Sequence, residues 1–185
     1  MDFKQFNLNK IFEAMAYAAE KHAHQRRKGN NHVPYINHLI KVAKLVTECV
    51  HQPEDDLLVA AILHDVVEDT DVDEQEVARR FGEKAAFMVH QMSDDMSMPK
   101  KVRKAKQIEK APGLSSDTKI LKIADKIANI NDILTLSLDW DTKRKIEYIH
   151  WAKKVVDGCR GINPQLEKKF DDTCSHGLKQ LAKEK

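Results

Sequence analysis

His64, Asp65, Glu68 and Asp69 fall within six consecutive positions at the end of an apolar run, Leu57 to Thr70, reading LLVAAILHDVVEDT. One imidazole and three carboxylates at that density suit a hydrolytic metal site. Nitrogen and oxygen donors hold a divalent cation, and a spare carboxylate can handle the proton of a water. At about 100° per residue, Leu57, Ala61, Leu63, Val66 and Val67 cover nearly all sides of a helix, which marks a buried one. With His64 at the origin, Asp65 lies about 100°, Glu68 about 40° and Asp69 about 140° round the axis. The four therefore share one side. Carboxylates taken out of water are costly unless paired or bound to a cation, so that side calls for a metal. An acidic helix end facing water fits the same pattern and stays open at this point.

The elements that must position these residues all read as helices. Ile11, Met15, Ala18 and Ala19 recur at helical spacing over residues 8–24. This first helix runs into KHAHQRRKGNN, where Gly29, Asn30 and Asn31 open a loop. The trio Arg26, Arg27 and Lys28 stands at that junction, as cations do at the negative end of a helix. Pro34 starts a second helix, in a place that suits proline. Its core stripe is Ile36, Leu39, Ile40, Ala43, Val46 and Val50, with His38 beside it. Glu54 and Asp55 open the third helix, the one that carries the acidic cluster. A short helix around Val77, a break at Gly82 and a helix around Phe87 and Val89 follow. MSDDMSMPKK is a loop in which Asp94, Asp95, Lys100 and Lys101 read singly as surface charges. Lys101 to Lys110 is a basic, polar helix.

After the break APGLSSD, with its serine N-cap, TKILKIADKIANINDIL buries Ile120, Leu121, Ile123, Ala124, Ile127 and Ile130. Asp125, flanked by apolar residues, is the best candidate for a ligand from a second helix, with Asn129 four residues on along one face. A surface carboxylate paired with Lys122 or Lys126 is the alternative. Thr142 to Cys159 turns Ile146, Ile149, Val155 and Val156 inward and ends at Gly158 and Gly161. Asn163 and Pro164 begin the last helix as N-cap and first position. It fades into LKQLAKEK, a frayed end. No alternating strand pattern occurs, and the fold class is all-α.

A chain of 185 residues fits one domain with its own core. That domain is expected over 1–185, with a core at 8–166 and a C-terminal helix and tail at 163–185. A net charge of +2 is too balanced for a nucleic-acid protein, and the basic clusters lack interleaved aromatic residues. Anion binding must come from local clusters. No run is long enough to span a membrane, and no secretory signal is present. Cys49, Cys159 and Cys174 are odd in number and lack metal-type spacing. That suggests free thiols and a reducing, cytoplasmic setting.

The ordered set His38, then His64-Asp65, then Asp125 resembles the signature of the HD-domain phosphohydrolases. RRKGNNHVPYINHL, and HDVVEDTDV followed by RFGEKA and KIADKIANI, look like the hydrolase domain of the bifunctional RelA/SpoT-type alarmone enzymes. With no room for their synthetase and regulatory regions, the chain is most similar to the stand-alone small alarmone hydrolases. The resemblance runs from Ala14 to Leu166 and implies a compact multi-helix HD-domain bundle. It implies His38, His64, Asp65 and Asp125 as metal ligands and Glu68 and Asp69 as the catalytic acidic pair. It puts Arg27 and Lys28 beside the bound nucleotide, and Tyr35, Asn129, Arg144 and Tyr148 around its pocket. Leu39 stands where the family usually has proline, and the loop before Arg144 is one residue shorter than usual. The family implies manganese (Mn2+), and cleavage of pyrophosphate from the ribose 3′ position of guanosine tetraphosphate or pentaphosphate. Its animal branch is also linked to removal of the 2′-phosphate of NADPH.

The chemistry suits these residue types. Two imidazoles and two carboxylates accept Mn2+, although affinity alone would often favour Zn2+. A bound ion lowers the pKa of its water toward neutrality. Glu68 follows His64 by one turn and Asp69 follows Asp65 by one turn, so both reach toward that water without being ligands. Spacing does not choose which takes the proton. Arg27, Lys28 and Lys100 are the cations for a phosphate-rich substrate. The expected function is a metal-dependent (p)ppGpp 3′-pyrophosphohydrolase acting on a small nucleotide, with no nucleic-acid or membrane partner and the oligomeric state left open. An HD nucleotidase or NADPH 2′-phosphatase is the second reading. A catalytically silent nucleotide-sensing module is the third, and the six intact ligand and acidic residues argue against it.

Overall fold

The computed structural model describes residues 5–29 and 32–183. In order come α1 (Leu8–Lys21), α2 (Ile36–Cys49), α3 (Asp55–Leu63), α4 (Val66–Asp69), α5 (Glu74–Phe81), α6 (Glu83–Met92) and α7 (Lys100–Lys110). A 3₁₀ turn at Ala111–Gly113 leads to α8 (Ser116–Thr135), α9 (Thr142–Asp157) and α10 (Pro164–Ala182). Among the described residues no strand forms, and one isolated bridge joins Arg26 to Pro34. The fold is all-α, as the periodicity predicts.

Helix starts follow local side-chain chemistry. Asp73, Ser115, Asp141 and Asn163 each accept a hydrogen bond from the backbone N–H three residues on, closing donors that a first turn leaves open. Gly82, at φ 93° between α5 and α6, makes the expected break. Gly29 is required twice over. Its φ is 125°, and a Cβ there would lie 3.2 Å from the Ser137 carbonyl oxygen and 3.3 Å from a Leu138 methyl. This is how the loop after α1 comes close against the chain beyond α8. Asn30 and Asn31 of the same predicted loop lie outside the described residues.

Two helices form the centre. Every residue from Leu57 to Leu63 of α3 is buried, and α8 is buried along most of its length, charged residues included. α3 packs on α1, α2, α6 and α8, and α8 packs on α2, α6, α9 and α10. A helix enclosed on all sides needs apolar residues on all sides, which LLVAAIL supplies.

The structure corrects several expectations. α2 begins at Ile36, not Pro34. The Tyr35 N–H donates to the Gln25 carbonyl at 3.2 Å and the Arg27 N–H to that of Val33 at 2.8 Å, so Pro34 belongs to the bridge that ties the basic trio to the helix entry. The inward stripe of α2 is Leu39, Val42, Leu45, Val46 and Cys49, and Ile40 is exposed. Phe87 on α6 points outward while Met88 and Val89 pack, and Ala19 on α1 is exposed. One residue of offset turns a stripe by about 100°, enough to put these neighbours outside. The C-terminal end is not frayed through Leu178–Ala182: α10 continues to Ala182 and Leu181 is fully buried. Glu184 and Lys185 lie outside the described residues.

Leu181→Ala tests that packing. Urea unfolding should show a loss of about 2–3 kcal/mol, as for a buried leucine. A loss below about half a kcal/mol, as at an exposed site, would restore the frayed end.

Candidate active site

The acidic stretch is not one continuous helix. α3 stops at Leu63, and His64 and Asp65 form a turn before α4. His64 Nδ1 donates to the Ala61 carbonyl at 2.9 Å, the group that the residue 65 N–H would use in an unbroken helix. This bond also directs the opposite ring nitrogen, Nε2, into the protein interior. The single helical wheel therefore fails at its midpoint. His64 and Asp65 sit at the break, and Glu68 and Asp69 stand on the short helix beyond it.

His38 from α2 and Asp125 from α8 meet this break. His64 Nε2 lies 3.1 Å from Asp65 Oδ2 and 3.8 Å from Asp125 Oδ1, and His38 Nε2 lies 3.2 Å from Asp125 Oδ1 and 3.6 Å from Asp65 Oδ2. His38, His64 and Asp65 offer one donor atom each within 4.8 Å of one another. Both imidazoles are buried, and neither Nε2 atom has a hydrogen-bond partner. Two orphaned imidazole nitrogens facing two carboxylates fit a divalent cation, which would satisfy all four donors at once.

The electrostatics agree. Burial alone would discharge His64, but the Asp65 and Asp125 carboxylates outweigh it and push its pKa up to about 9. Burial, with the nearby Arg27 charge, holds His38 below its ordinary value despite the same carboxylates. Burial opposes ionisation of Asp65, yet His64 holds it well below the usual carboxylate range, and Lys126 and His38 do the same for Asp125. The cluster thus favours positive charge at its centre.

Neighbours fix the donors in place. Tyr35 Oη donates to Asp65 Oδ2 at 2.8 Å. Asn129 Nδ2 donates to Asp125 Oδ1 at 2.5 Å, and Lys126 Nζ to Asp125 Oδ2 at 3.0 Å. Arg27 bridges Asn129 Oδ1 and buried Asp132, at 2.5 Å and 2.8 Å, and its guanidinium lies 5.2 Å from the Tyr35 ring centre. Arg27, Tyr35 and Asn129, expected to touch substrate, are thus also struts of the cluster.

Glu68 accepts from the Asp94 N–H at 2.9 Å and lies 3.7 Å from Arg103. Burial comes first in raising its pKa to about 7, with Asp65, Asp94 and Asp69 adding to it. Burial and Asp65 also raise Asp69. A carboxylate near 7 is poised to exchange protons at neutral pH.

These groups line one cleft of about 430 Å³. All seven expected substrate residues, Arg27, Lys28, Tyr35, Lys100, Asn129, Arg144 and Tyr148, line it with Glu68, Asp69, His38, Asp65 and Asp125. Sequence reasoning missed several others. Arg103, Lys104, Lys122 and Lys126 add cations to the wall, and Trp140 and Trp151 add aromatic faces. Lys104 Nζ lies 4.5 Å from the Trp151 ring centre and the Arg144 guanidinium 4.2 Å from that of Trp140. Asp94, read as a surface charge, belongs to the cleft. Burial first, then Lys28, Arg144 and Arg103, lowers the Lys100 pKa. Mutually repelling cations of this kind mark a site for an anion.

A family model described as the HD domain matches residues 14–150. The chain belongs to this family, which implies dependence on a divalent metal. Within it, the chain is similar to the guanosine-3′,5′-bis(diphosphate) 3′-pyrophosphohydrolase MESH1 of Drosophila melanogaster. The identity is 42% over 164 residues, 88% of this chain and 92% of that protein. The Homo sapiens protein of the same name is 42% identical over 158 residues, 85% and 88% of the two chains. A solved structure of a metazoan ortholog of SpoT that hydrolyzes ppGpp and plays a role in starvation responses superposes with a TM-score of 0.87. It is 39% identical and covers 94% of this chain and 98% of its own.

The raised Glu68 pKa has a measurable consequence in metal-free protein. Its folded value of about 7 exceeds the ordinary 4.5, so the folded state binds more protons between these values. Glu68 therefore lowers stability progressively as pH rises from about 4.5 to about 7, by on the order of 3 kcal/mol in total. Urea unfolding of wild type and Glu68→Gln across pH 5–8 should show the variant gaining relative stability as pH rises. A pH-independent difference would contradict the buried charge.

Proposed function

We propose that this chain is a metal-dependent guanosine-3′,5′-bis(diphosphate) 3′-pyrophosphohydrolase, releasing pyrophosphate and GDP, or GTP from the pentaphosphate. The observation that carries this reading is one cleft holding both a metal-fitting cluster with Glu68 near neutrality and a wall of cations. The activity named for relatives at 42% identity supports it.

His38, His64, Asp65 and Asp125 would hold the ion, and Mn2+ suits their mixed nitrogen and oxygen set. When bound, the metal supplies a water of lowered pKa and neutralises phosphoryl charge. Glu68 orients the attacking water and takes its proton, with Asp69 beside it on α4. Tyr35, Asn129 and Lys126 hold the carboxylate ligands in one orientation, a role whose loss weakens metal binding. Arg27, Lys28, Lys100 and Arg144 draw in the phosphates. Tyr148, edge-on to Trp151 with ring centres 5.2 Å apart, and Trp140 give the purine apolar faces. A second arm of the cleft, lined by Ile133, Leu136 and Leu138, suits the nucleoside. Three buried, unpaired cysteines are in keeping with a cytoplasmic enzyme. No described helix is long and apolar enough to cross a membrane.

The test is a Mn2+-supplemented assay on guanosine tetraphosphate, with NADPH in parallel and products separated by chromatography. Pyrophosphate and GDP are expected. Orthophosphate release from NADPH with the alarmone untouched would replace this reading by a 2′-phosphatase. His64→Ala and Asp65→Ala should purify with little metal and no turnover, and full metal occupancy would remove them from the ligand set. Glu68→Ala should keep its metal and lose about 10²–10⁴-fold in kcat. An unchanged kcat would exclude it from the chemistry.

A further inference from the structure

Along the floor of the cleft, α8 sets Lys122, Asp125, Asn129 and Asp132 three or four residues apart. That spacing keeps them on one face at steps of about 5 Å. Asp125 and Asn129 belong to the cluster, and Asp132 anchors Arg27. Lys122 has no part in any of this. It is 5% exposed, and its Nζ donates to the Met92 carbonyl at 3.1 Å. Among the described residues no carboxylate pairs with it within 4.0 Å. An ammonium has three N–H donors, and burying one against a single neutral acceptor is costly.

A second observation concerns the cations around it. Lys100, Lys104 and Lys126 line the Lys122 arm and not the apolar one, while Arg103, whose buried Nε has no partner, lines both. Met92, Lys104 and Trp151 line the Lys122 end, whereas Leu136 and Leu138 line only the apolar arm. The cleft is therefore polarised, with a nucleoside end and a cationic end either side of Asp125. Burial and Lys126 depress the Lys122 pKa, while Asp125, Asp94 and Glu68 oppose the shift at longer range. A bound anion would stabilise the ammonium in the same way.

We propose that Lys122 receives the distal phosphate of the 3′-diphosphate, and then of the released pyrophosphate, and so selects a diphosphate ester over a monophosphate ester. This rests on the alarmone reading above. In that reaction the water oxygen bonds to the phosphorus nearest the ribose, the bond from that phosphorus to the 3′ oxygen breaks, and the 3′ oxygen leaves with a proton. The distal phosphate stays joined to the phosphorus attacked. With attack beside Asp125, the distal phosphate extends one helical turn along α8 to Lys122. A monophosphate ester has nothing to place there.

Calorimetric titration of inorganic pyrophosphate and of orthophosphate into Mn2+-loaded wild type, Lys122→Met and Lys122→Arg tests the proposal. Wild type should prefer pyrophosphate. Lys122→Met should bind pyrophosphate about tenfold to a hundredfold more weakly, with orthophosphate changed by less than about threefold. Lys122→Arg should keep most of the preference. A Lys122→Met protein that keeps the preference, or that loses both ligands equally, overturns it. If its melting curve shows that Lys122→Met does not fold, Lys122→Gln is judged by the same criteria. Alarmone turnover by wild type is recorded separately. A pyrophosphate preference without turnover counts against the alarmone reading alone, and turnover with unchanged binding by the variant counts against Lys122 alone.

Discussion

Two imidazoles and two carboxylates meet in the interior of this protein, and their desolvation is the constraint that the surrounding structure answers. Charge of that kind persists inside a protein only where partners and geometry compensate it. The compensation is layered. Tyr35, Asn129 and Lys126 bond the two carboxylates, Arg27 bonds Asn129, and Asp132 bonds both Arg27 and Lys41. The unbroken apolar character of α3 and the burial of α8 follow from the same need, because both helices must be enclosed to bring His64 and Asp125 together. The helix break at His64 and Asp65 is part of this design. By bonding the Ala61 carbonyl, His64 ends the helix and points its other nitrogen at the carboxylates.

Around that cluster the cleft divides its chemistry by position. The arm lined by Ile133, Leu136, Leu138 and Trp140, with Arg26, Arg27 and Lys28 also in its wall, is the one proposed for the nucleoside. The opposite end concentrates lysines whose pKa values are lowered first by burial and then by neighbouring cations, as at Lys100, Lys104 and Lys122. A polyphosphate bound there, as proposed, would relieve the repulsion among them. Glu68, the carboxylate proposed to take the proton, lines both arms with its pKa near neutrality.

Much of this was legible from residue order. The helical period found the elements, including the break at Gly82 and the start at Asn163, because caps and glycines act locally. The cluster was legible in part. His64, Asp65, Glu68 and Asp69 advertise themselves by density, and Asp125 by its apolar flanks. His38 stood out only through the family resemblance, since a histidine beside a core stripe has no signal of its own. What escaped was long-range. A helical wheel assumes an unbroken axis, so the turn at His64 and Asp65 was invisible to it. Lys122 and Lys126 enter the sequence reading only as surface partners for Asp125, and Asp132 not at all, because amphipathic patterning assigns charge to the outside, whereas α8 is covered on nearly every side. Trp140 and Trp151 come beside Arg144 and Lys104 in space, although no aromatic residue is interleaved in the basic clusters along the sequence. Ile40 and Phe87 went the other way, outward, through an offset that apolar character alone does not resolve.

The central claim, that the interior cluster exists to hold one divalent ion, is tested most directly by anomalous X-ray scattering from crystals grown with Mn2+. The expected result is a single strong peak bonded to His38 Nε2, His64 Nε2, Asp65 Oδ2 and Asp125 Oδ1. A peak that excludes these atoms, or none at saturating Mn2+ with the four side chains bonded only to one another, would contradict it.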